Sequence, residues 1–107
     1  MGDYLITPAA EADLAALTVH LENAFGPMVA ERKLARIEEV FEKLAEHPGL
    51  GRRRGDFAPN FRGFPVSPNL VLYRITTSGL VEIARMLDGR CDLLALISSG
   101  QPSGTDL

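Results

Sequence analysis

Arginine side chains in the second half of the chain are the groups best suited, by type and spacing, to bind a charged ligand. A guanidinium group is a planar fork of donors that binds a carboxylate or a phosphate through two hydrogen bonds. The set consists of Arg62, Arg74, Arg85 and Arg90. Together these residues predict a basic face for an acidic partner. Singly, each is more simply explained as an ordinary ion pair within the fold. The available partners are Glu82, Asp88, Asp92 and the acidic helices.

Two other polar features near these arginines favour structural roles over chemical ones. Tyr73 lies among apolar strand residues, and a buried tyrosine usually packs its ring and bonds its hydroxyl locally. The run Arg52-Arg53-Arg54 creates a positive local potential that could touch phosphate. The neighbouring Asp56 and the negative net charge of the whole chain favour a solvated loop instead.

The remaining candidates for chemistry lack the partners that such chemistry needs. Cys91 could act as a nucleophile beside Arg90, but no histidine or asparagine can be placed next to it. His20 and His47 are the only histidines, and neither belongs to a pair with metal-ligand spacing. No glycine-rich phosphate loop is present. The sequence therefore predicts no metal, no cofactor and no catalytic residue.

Composition predicts one globular domain. The chain has 107 residues, of which 46% are hydrophobic and 23% charged, and its net charge is -3. The first 47 residues are acidic, with four Lys/Arg against nine Asp/Glu, whereas the rest carry seven against five. No apolar run approaches the roughly 20 residues that span a bilayer. The single cysteine fits a reducing compartment, so we expect a cytoplasmic protein with one domain over residues 1–97 and a flexible tail over 98–107.

Apolar spacing predicts two helices after a short strand at residues 3–7. Thr7 and Pro8 are a suitable cap and first residue for a helix. The first apolar stripe is Ala10, Leu14, Leu17, Leu21 and Ala24, and the second is Ala30, Leu34, Ile37, Phe41 and Leu44. Gly26-Pro27 ends the first helix and His47-Pro48-Gly49 ends the second. Matching stripes and a short connection predict an antiparallel helical hairpin.

The second half predicts strands. Residues 50–60 are expected to be a polar connection rather than an element. Strands follow at residues 61–66, where Pro65 needs a position without a ladder bond, at 70–75 and from Val81 onward, with a fourth at 93–97. Short turns make consecutive strands antiparallel. The prediction is an α+β fold in which a three- to four-stranded antiparallel sheet packs on the hairpin. Strands with little polar alternation also present more apolar surface than one hairpin covers, so another chain should cover some of it.

Several short motifs in a fixed order give the chain a resemblance to a known family. They are Thr7-Pro8, Ala12-Asp13-Leu14, Leu44-Ala45-Glu46-His47-Pro48, Gly51-Arg52, Phe61-Arg62, Val71-Leu72-Tyr73-Arg74 and Glu82-Ile83. From Tyr4 to about Leu96 the chain resembles the ParE branch of the RelE/ParE toxins of type II toxin-antitoxin modules. The resemblance implies a ParD-like antitoxin as partner in a hetero-oligomer. It also predicts antitoxin or target contacts at Arg62, Tyr73, Arg74, Arg85, Arg90 and Asp92.

The resemblance also separates two modes of action. RelE-type members cut messenger RNA on the ribosome with lysines and arginines. At the positions of those lysines and arginines, this chain has Ala58, Asn60, Leu70 and Cys91. ParE-type members inhibit DNA gyrase by binding, and the resemblance favours that mode here. The corner Leu87-Asp88-Gly89-Arg90-Cys91-Asp92 departs from the family pattern by moving its arginine one position. A ribonuclease with a rearranged site and a non-toxic antitoxin-binding co-repressor remain the alternatives.

Overall fold

The computed structural model describes residues 3–88, which form two helices and five strands. The elements are β1 (Tyr4–Ile6), α1 (Pro8–Phe25), α2 (Pro27–Glu46), β2 (Arg52–Arg53), β3 (Phe61–Val66), β4 (Asn69–Ile75) and β5 (Val81–Asp88). A 3₁₀ turn at Pro48–Leu50 joins α2 to β2. The α+β class and the helical hairpin predicted from the sequence are confirmed. The predicted strand at residues 93–97 and the tail at 98–107 lie outside the described residues.

The ends of the two helices follow the local rules that the sequence suggested. The Thr7 side chain accepts a hydrogen bond from the Ala10 N–H at 3.1 Å and caps α1. Gly26 separates the helices with φ +90°, a conformation that residues with a Cβ rarely adopt. Pro27 is then the first residue of α2. Neither α1 nor α2 has a stretch long and apolar enough to cross a membrane.

The sheet has the order β1-β5-β4-β3-β2. β3, β4 and β5 pair antiparallel, as predicted. β1 pairs with β5 in parallel, so the sheet is mixed. The hairpin and the strands β2, β3 and β4 lie between these two partners in the sequence. A strand of three residues contains no local signal of its partner.

One sequence prediction about the sheet was wrong. The connection at residues 50–60 contains β2, whose Arg52 and Arg53 pair with Gly63 and Arg62 of β3. Two exposed arginines have no strand-like alternation, so only the pairing itself makes them a strand. Because β2 ends there, the described chain places no strand beside Pro65 on the outer edge of β3. Pro65 therefore occupies the kind of position predicted for it.

The hydrophobic core lies between the hairpin and one face of the sheet, which we call the inner face. Its inner-face residues are Val66, Val71, Tyr73, Val81, Ile83 and Met86. The helices contribute Ala10, Ile37, Val40, Phe41 and Leu44, which are at most 9% exposed. Tyr4 of β1 meets the Phe41 ring edge-on, with 5.5 Å between the ring centroids. Ala24, assigned to the stripe of α1, is exposed.

Candidate partner-binding surfaces

Tyr73 is the centre of a buried polar cluster that joins the end of the hairpin to the sheet. Its side chain is 0% exposed. Its hydroxyl donates to the carbonyl of Pro48 at 2.7 Å and accepts from the Gly51 N–H at 2.8 Å. Arg62 donates from Nη1 to the Gly51 carbonyl at 2.7 Å. Tyr73, Pro48, Gly51 and Arg62 are the Tyr73 cluster, and they hold the chain after α2 against β3 and β4.

Close packing around the tyrosine ring requires glycine at residue 51. A Cβ at Gly51 would lie 2.7 Å from both Cε1 and the hydroxyl oxygen of Tyr73. It would also lie 2.8 Å from the carbonyl oxygen of Gly63 in β3. Real Cβ atoms do not approach other atoms so closely, and the neighbours here are a buried ring and backbone. The motif Gly51-Arg52 therefore has a packing explanation.

The environment of Tyr73 keeps its hydroxyl protonated. Burial raises the pKa of Tyr73 above its ordinary value, while the hydrogen bond from Gly51 and the charge of Arg62 act in the opposite direction. A fully buried phenol with a raised pKa is poorly suited to take up or release a proton near neutral pH. Tyr73 therefore has the local structural role considered from the sequence, with a packed ring and a hydroxyl bonded to nearby backbone.

Two arginines of the predicted basic face form ion pairs within the fold. Arg74 bonds through Nε to Glu82 on the neighbouring strand at 2.5 Å. Arg85 forms two bonds with Asp13 of α1, at 2.6 and 3.0 Å. The same carboxylate accepts the Met86 N–H at 2.9 Å. Asp13 thus accepts a hydrogen bond from a backbone N–H of β5, on the part of its edge that β1 does not cover.

The described arginines do not converge on one face. Arg62 is paired across the strands with the buried Tyr73 and belongs to the inner face, whereas Arg74 belongs to the opposite face of the sheet. Arg85 pairs with Leu72 and belongs by register to the same face as Arg74, but its guanidinium is held by Asp13 of α1. Arg90 and Asp92 lie outside the described residues. Arg62, Arg74 and Arg85 therefore do not form one continuous basic surface.

The three consecutive arginines also have separate environments. Arg54 forms a bidentate pair with Asp56, at 2.7 and 3.0 Å, and stacks over the Phe57 ring at 4.7 Å. The hydrogen bonds from Arg54 lower the pKa of the Asp56 carboxyl. Arg52 and Arg53 are exposed in β2. Arg53 lines a shallow cavity of about 200 Å³ together with Asn60, Arg62 and Ile75.

An apolar cavity lies where the two helices meet, beside the beginning of β4. We call it the hairpin-end groove, with a volume of about 350 Å³. Its lining includes Leu17, Leu21, Phe25, Val29, Lys33 and Pro68. Phe25 is 63% exposed and the nearby Met28 is 72% exposed. Lys33 donates to the Ser67 carbonyl at 2.8 Å and closes one side. Exposed aromatic and methionine side chains around a concave apolar surface are typical of protein-binding sites.

The sequence predicted an excess of apolar surface on the strands at residues 70–73 and 93–97. Val71, Leu72 and Tyr73 are at most 2% exposed and do not provide it, and residues 93–97 lie outside the described residues. Within the described chain, exposed apolar surface lies at the hairpin end. The signal was present in Phe25-Gly26-Pro27-Met28-Val29, where apolar residues flank a helix break and have no core position to fill. Helical periodicity alone does not show where a helix extends beyond its sheet.

The RelE-type positions contain no cation within the described chain. Ala58 and Asn60 lie in the connection before β3, and Leu70 lies in β4. Cys91 lies outside the described residues. Among residues 3–88, no group of three His, Cys, Asp or Glu side chains could hold a metal ion. This part of the molecule offers hydrogen-bonded structure and binding surface.

These features define a small α+β protein with a helical hairpin on one face of a mixed sheet. Residues 4–93 match the ParE toxins of the type II toxin-antitoxin system parDE, and the chain belongs to that family. It is 41% identical to Toxin ParE3 of Caulobacter vibrioides over 95 residues, which cover 89% of this chain and 94% of that protein. It is 28% identical to Toxin ParE1 of Mycobacterium tuberculosis over 90 residues, covering 84% and 92%. A chain of the chromosomal ParDE system from P. aeruginosa has the same fold, with a TM-score of 0.70, 24% identity, and coverage of 82% of this chain and 96% of that one.

Proposed function

We propose that this ParE-type toxin stops bacterial growth by binding a target protein, and that a ParD-like antitoxin neutralises it by covering the hairpin-end groove. The observation that supports the second part is the exposure of Phe25 and Met28 beside an apolar cavity. A free chain leaves this surface in contact with water, which is unfavourable. A bound antitoxin segment removes that contact.

The chemistry of the groove specifies the segment that fits it. An amphipathic helix would place its apolar side chains between Leu21, Phe25 and Val29. Along α2, the adjoining surface carries Arg32, Lys33 and Arg36. Acidic residues on the antitoxin helix would complement these charges and speed association. The expected partner is therefore an amphipathic helix with an apolar face and an acidic border.

Binding is the favoured mode of toxicity because the RelE-type cation positions hold residues that cannot stabilise a phosphate. Leu70, near the start of β4, stands at an arginine position, and Ala58 and Asn60 stand at lysine positions. We propose DNA gyrase as the target, from the resemblance to ParE toxins. The contact residues proposed for the target or the antitoxin are Arg62, Arg74, Arg85, Arg90 and Asp92, whereas Tyr73 is 0% exposed and is left out of this set. Arg74 is the most accessible of those described.

Three assays on one expression strain separate this function from its alternatives. We expect growth arrest when the chain is expressed alone, rescue when the cognate antitoxin is co-expressed, and loss of supercoiling when purified chain is added to gyrase. Arrest with unaffected supercoiling would contradict the gyrase target. Primer extension on translated messenger RNA should show no new cleavage ends, and new ends would support the ribonuclease. Normal growth together with antitoxin binding would support the co-repressor.

A further inference from the structure

Two arginines lie directly opposite each other on the two strands at one edge of the sheet. Arg53 of β2 pairs with Arg62 of β3. Directly opposite residues point to the same side of a sheet, so Arg53 shares the inner face with Arg62 and with Tyr73, the partner of Arg62 on β4. Like charges at such positions destabilise a sheet. An anion between the two guanidinium groups would remove this repulsion.

Neither arginine has a carboxylate partner among residues 3–88. The ion pairs found there all involve other arginines. Arg62 is half-buried and donates only from Nη1, to the carbonyls of Gly49 and Gly51 at 3.4 and 2.7 Å. In this part of the chain its Nε and Nη2 groups donate to no acceptor, and Arg53 is exposed. Donors that suit an anion are therefore present on both strands.

Both arginines line one cavity of about 200 Å³ at the end of the strands. Asn60 and Ile75 line it too, with Pro59 and Phe61. The guanidinium forks and the Asn60 amide group all donate to oxygen, and a guanidinium binds a carboxylate through two parallel hydrogen bonds. Ile75, the last residue of β4, is 38% exposed and adds an apolar wall. The lining thus combines donors for an oxyanion with apolar surface.

We propose that Arg53, Arg62 and Asn60 bind the side-chain carboxylate of an acidic segment in a protein partner. We call these three residues and Ile75 the carboxylate site. Its volume is below the roughly 300–1,000 Å³ of pockets that enclose whole small molecules, so it suits one side-chain head group. The carboxylate lies between the two guanidinium groups, and Ile75 contacts the methylene groups behind it.

A nucleic-acid phosphate is also an oxyanion, and it is the main alternative ligand. Proteins that bind a nucleic-acid backbone use several cations along a track, because each phosphate needs one. The next arginine in the chain, Arg54, is already paired with Asp56 at 2.7 Å. The whole chain has a net charge of -3. Two guanidinium groups in one small cavity therefore favour a single carboxylate.

The carboxylate site and the hairpin-end groove lie at opposite ends of β4. Asn69, the first residue of that strand, lines the groove, and Ile75, the last, lines the site. Six residue steps along a strand span about 20 Å. The site is therefore a second contact region, separate from the groove. The inference rests on the proposed function only in taking the partner to be a protein.

Titration of an acetylated hexaglutamate peptide into the purified full chain tests the site. Arginine Nε–Hε signals are followed by nuclear magnetic resonance at constant ionic strength. We expect the Arg62 signal to move, and Arg53→Gln to weaken binding by about tenfold. Arg52→Gln is the matched control, because Arg52 is also exposed in β2 but pairs with Gly63 and points to the opposite face. It should weaken binding by less than about twofold.

Three results of this titration would overturn the proposal. The first is equal weakening by the two variants, which would mean general electrostatic attraction. The second is an Arg62 signal that the peptide never moves. The third is tighter binding of hexauridylate or inorganic phosphate, titrated in parallel, which would assign the site to nucleic acid or to a free anion. The measurement does not depend on toxicity, so growth arrest without peptide binding would remove this site and leave the proposed function standing.

Arg53→Glu tests the geometry of the site without a ligand. The new carboxylate would lie opposite Arg62 and supply the anion that the pair lacks. We expect the melting temperature to rise by about 2–4 °C and peptide binding to be lost. Arg52→Glu makes the same charge change opposite Gly63 and should raise the melting temperature less. A rise no greater for Arg53→Glu than for Arg52→Glu would overturn the facing arrangement of Arg53 and Arg62.

Discussion

The Tyr73 cluster and the hairpin-end groove are opposite in where they place polar and apolar groups. The cluster is polar and buried, and both hydrogen-bonding directions of the Tyr73 hydroxyl are used. Across the described residues, no buried side-chain nitrogen or oxygen lacks a hydrogen-bond partner. The groove is mainly apolar and open, and Phe25 in its lining and the nearby Met28 are largely exposed. This reverses the usual distribution of polar and apolar side chains.

The contrast indicates that the two regions contribute to different free energies. Substitutions in the Tyr73 cluster leave buried groups unpaired or overcrowded, so they should change the free energy of unfolding. Substitutions in the groove remove side chains that already contact water, so they should change the free energy of binding a partner. Each of the predictions below tests one side of this separation.

The largest effect on stability is expected from Gly51→Ala. The new methyl group would collide with the Tyr73 ring and with the Gly63 carbonyl. We expect the free energy of unfolding to fall by about 3 kcal/mol, measured by urea denaturation. Gly49→Ala is the matched control, because a Cβ at Gly49 meets nothing within 4 Å. Equal stability of the two variants would disprove the packing explanation for Gly51.

Tyr73→Phe should have the next largest effect. The ring is retained, but the buried Gly51 N–H and the Pro48 carbonyl lose their partner. We expect a loss of about 2 kcal/mol in the free energy of unfolding. A stability unchanged within experimental error would mean that water or a shifted backbone replaces the hydroxyl.

The same variant has a predictable dependence on pH. The pKa of Tyr73 is raised above 10.0 in the folded protein, so the unfolded chain releases this proton first and the native stability contribution is lost as pH rises above 10.0. Tyr4, the other tyrosine, also has a raised pKa, caused first by burial and then by Glu38 and Glu42. Tyr73→Phe should therefore reduce, without abolishing, the loss of stability above that pH, measured by denaturation at each pH. A slope unchanged by the substitution would contradict the raised pKa of Tyr73.

A smaller effect is expected from Asp13→Asn at the edge of β5. The amide can still accept the Met86 N–H, but it no longer carries the charge that pairs with Arg85. We expect a loss of about 1 kcal/mol, because the arginine is partly exposed and screened by water. Glu11→Gln, an exposed charge removal on the same helix, serves as control and should stay within about 0.5 kcal/mol. A loss as large as that of Gly51→Ala would make this ion pair part of the essential core.

The smallest effect on stability is expected from Phe25→Ala in the groove. The ring is 63% exposed and contributes little to the core, and alanine suits the end of a helix. We expect the free energy of unfolding to stay within about 0.5 kcal/mol of the unchanged chain. A large loss would show that Phe25 stabilises the hairpin itself, and the proposed separation of the two regions would fail.

The sequence predicted those parts of the fold that depend on local spacing and capping. The apolar stripes, Thr7 as a cap and the break at Gly26-Pro27 were sufficient for both helices, because each signal acts within one or two turns. The antiparallel order of β3, β4 and β5 followed from their short turns. The parallel partner of β1 and the existence of β2 depend on residues distant in the chain, and no local pattern specified them.

The candidate site was less predictable, since it depends on which side chains meet in space. The arginines were noticed because of their type, but the sequence did not show that Arg85 meets Asp13 across 72 positions. Nor did it show that residue 51 must be glycine because Tyr73 packs against it. The hairpin-end groove was missed because Phe25 and Met28 look like ordinary helix residues in the sequence, and only the structure shows that they are exposed.

Calorimetric titration of the cognate antitoxin into variants of the purified chain tests the central claim most directly. If the hairpin-end groove receives the antitoxin, Phe25→Ala should weaken binding by about 30-fold, the size expected for an aromatic residue at the centre of an interface. Val19→Ala, a substitution at an apolar residue that is 56% exposed and does not line the groove, should change affinity by less than about threefold. Equal affinity of the antitoxin for both variants and for the unchanged chain would contradict the claim.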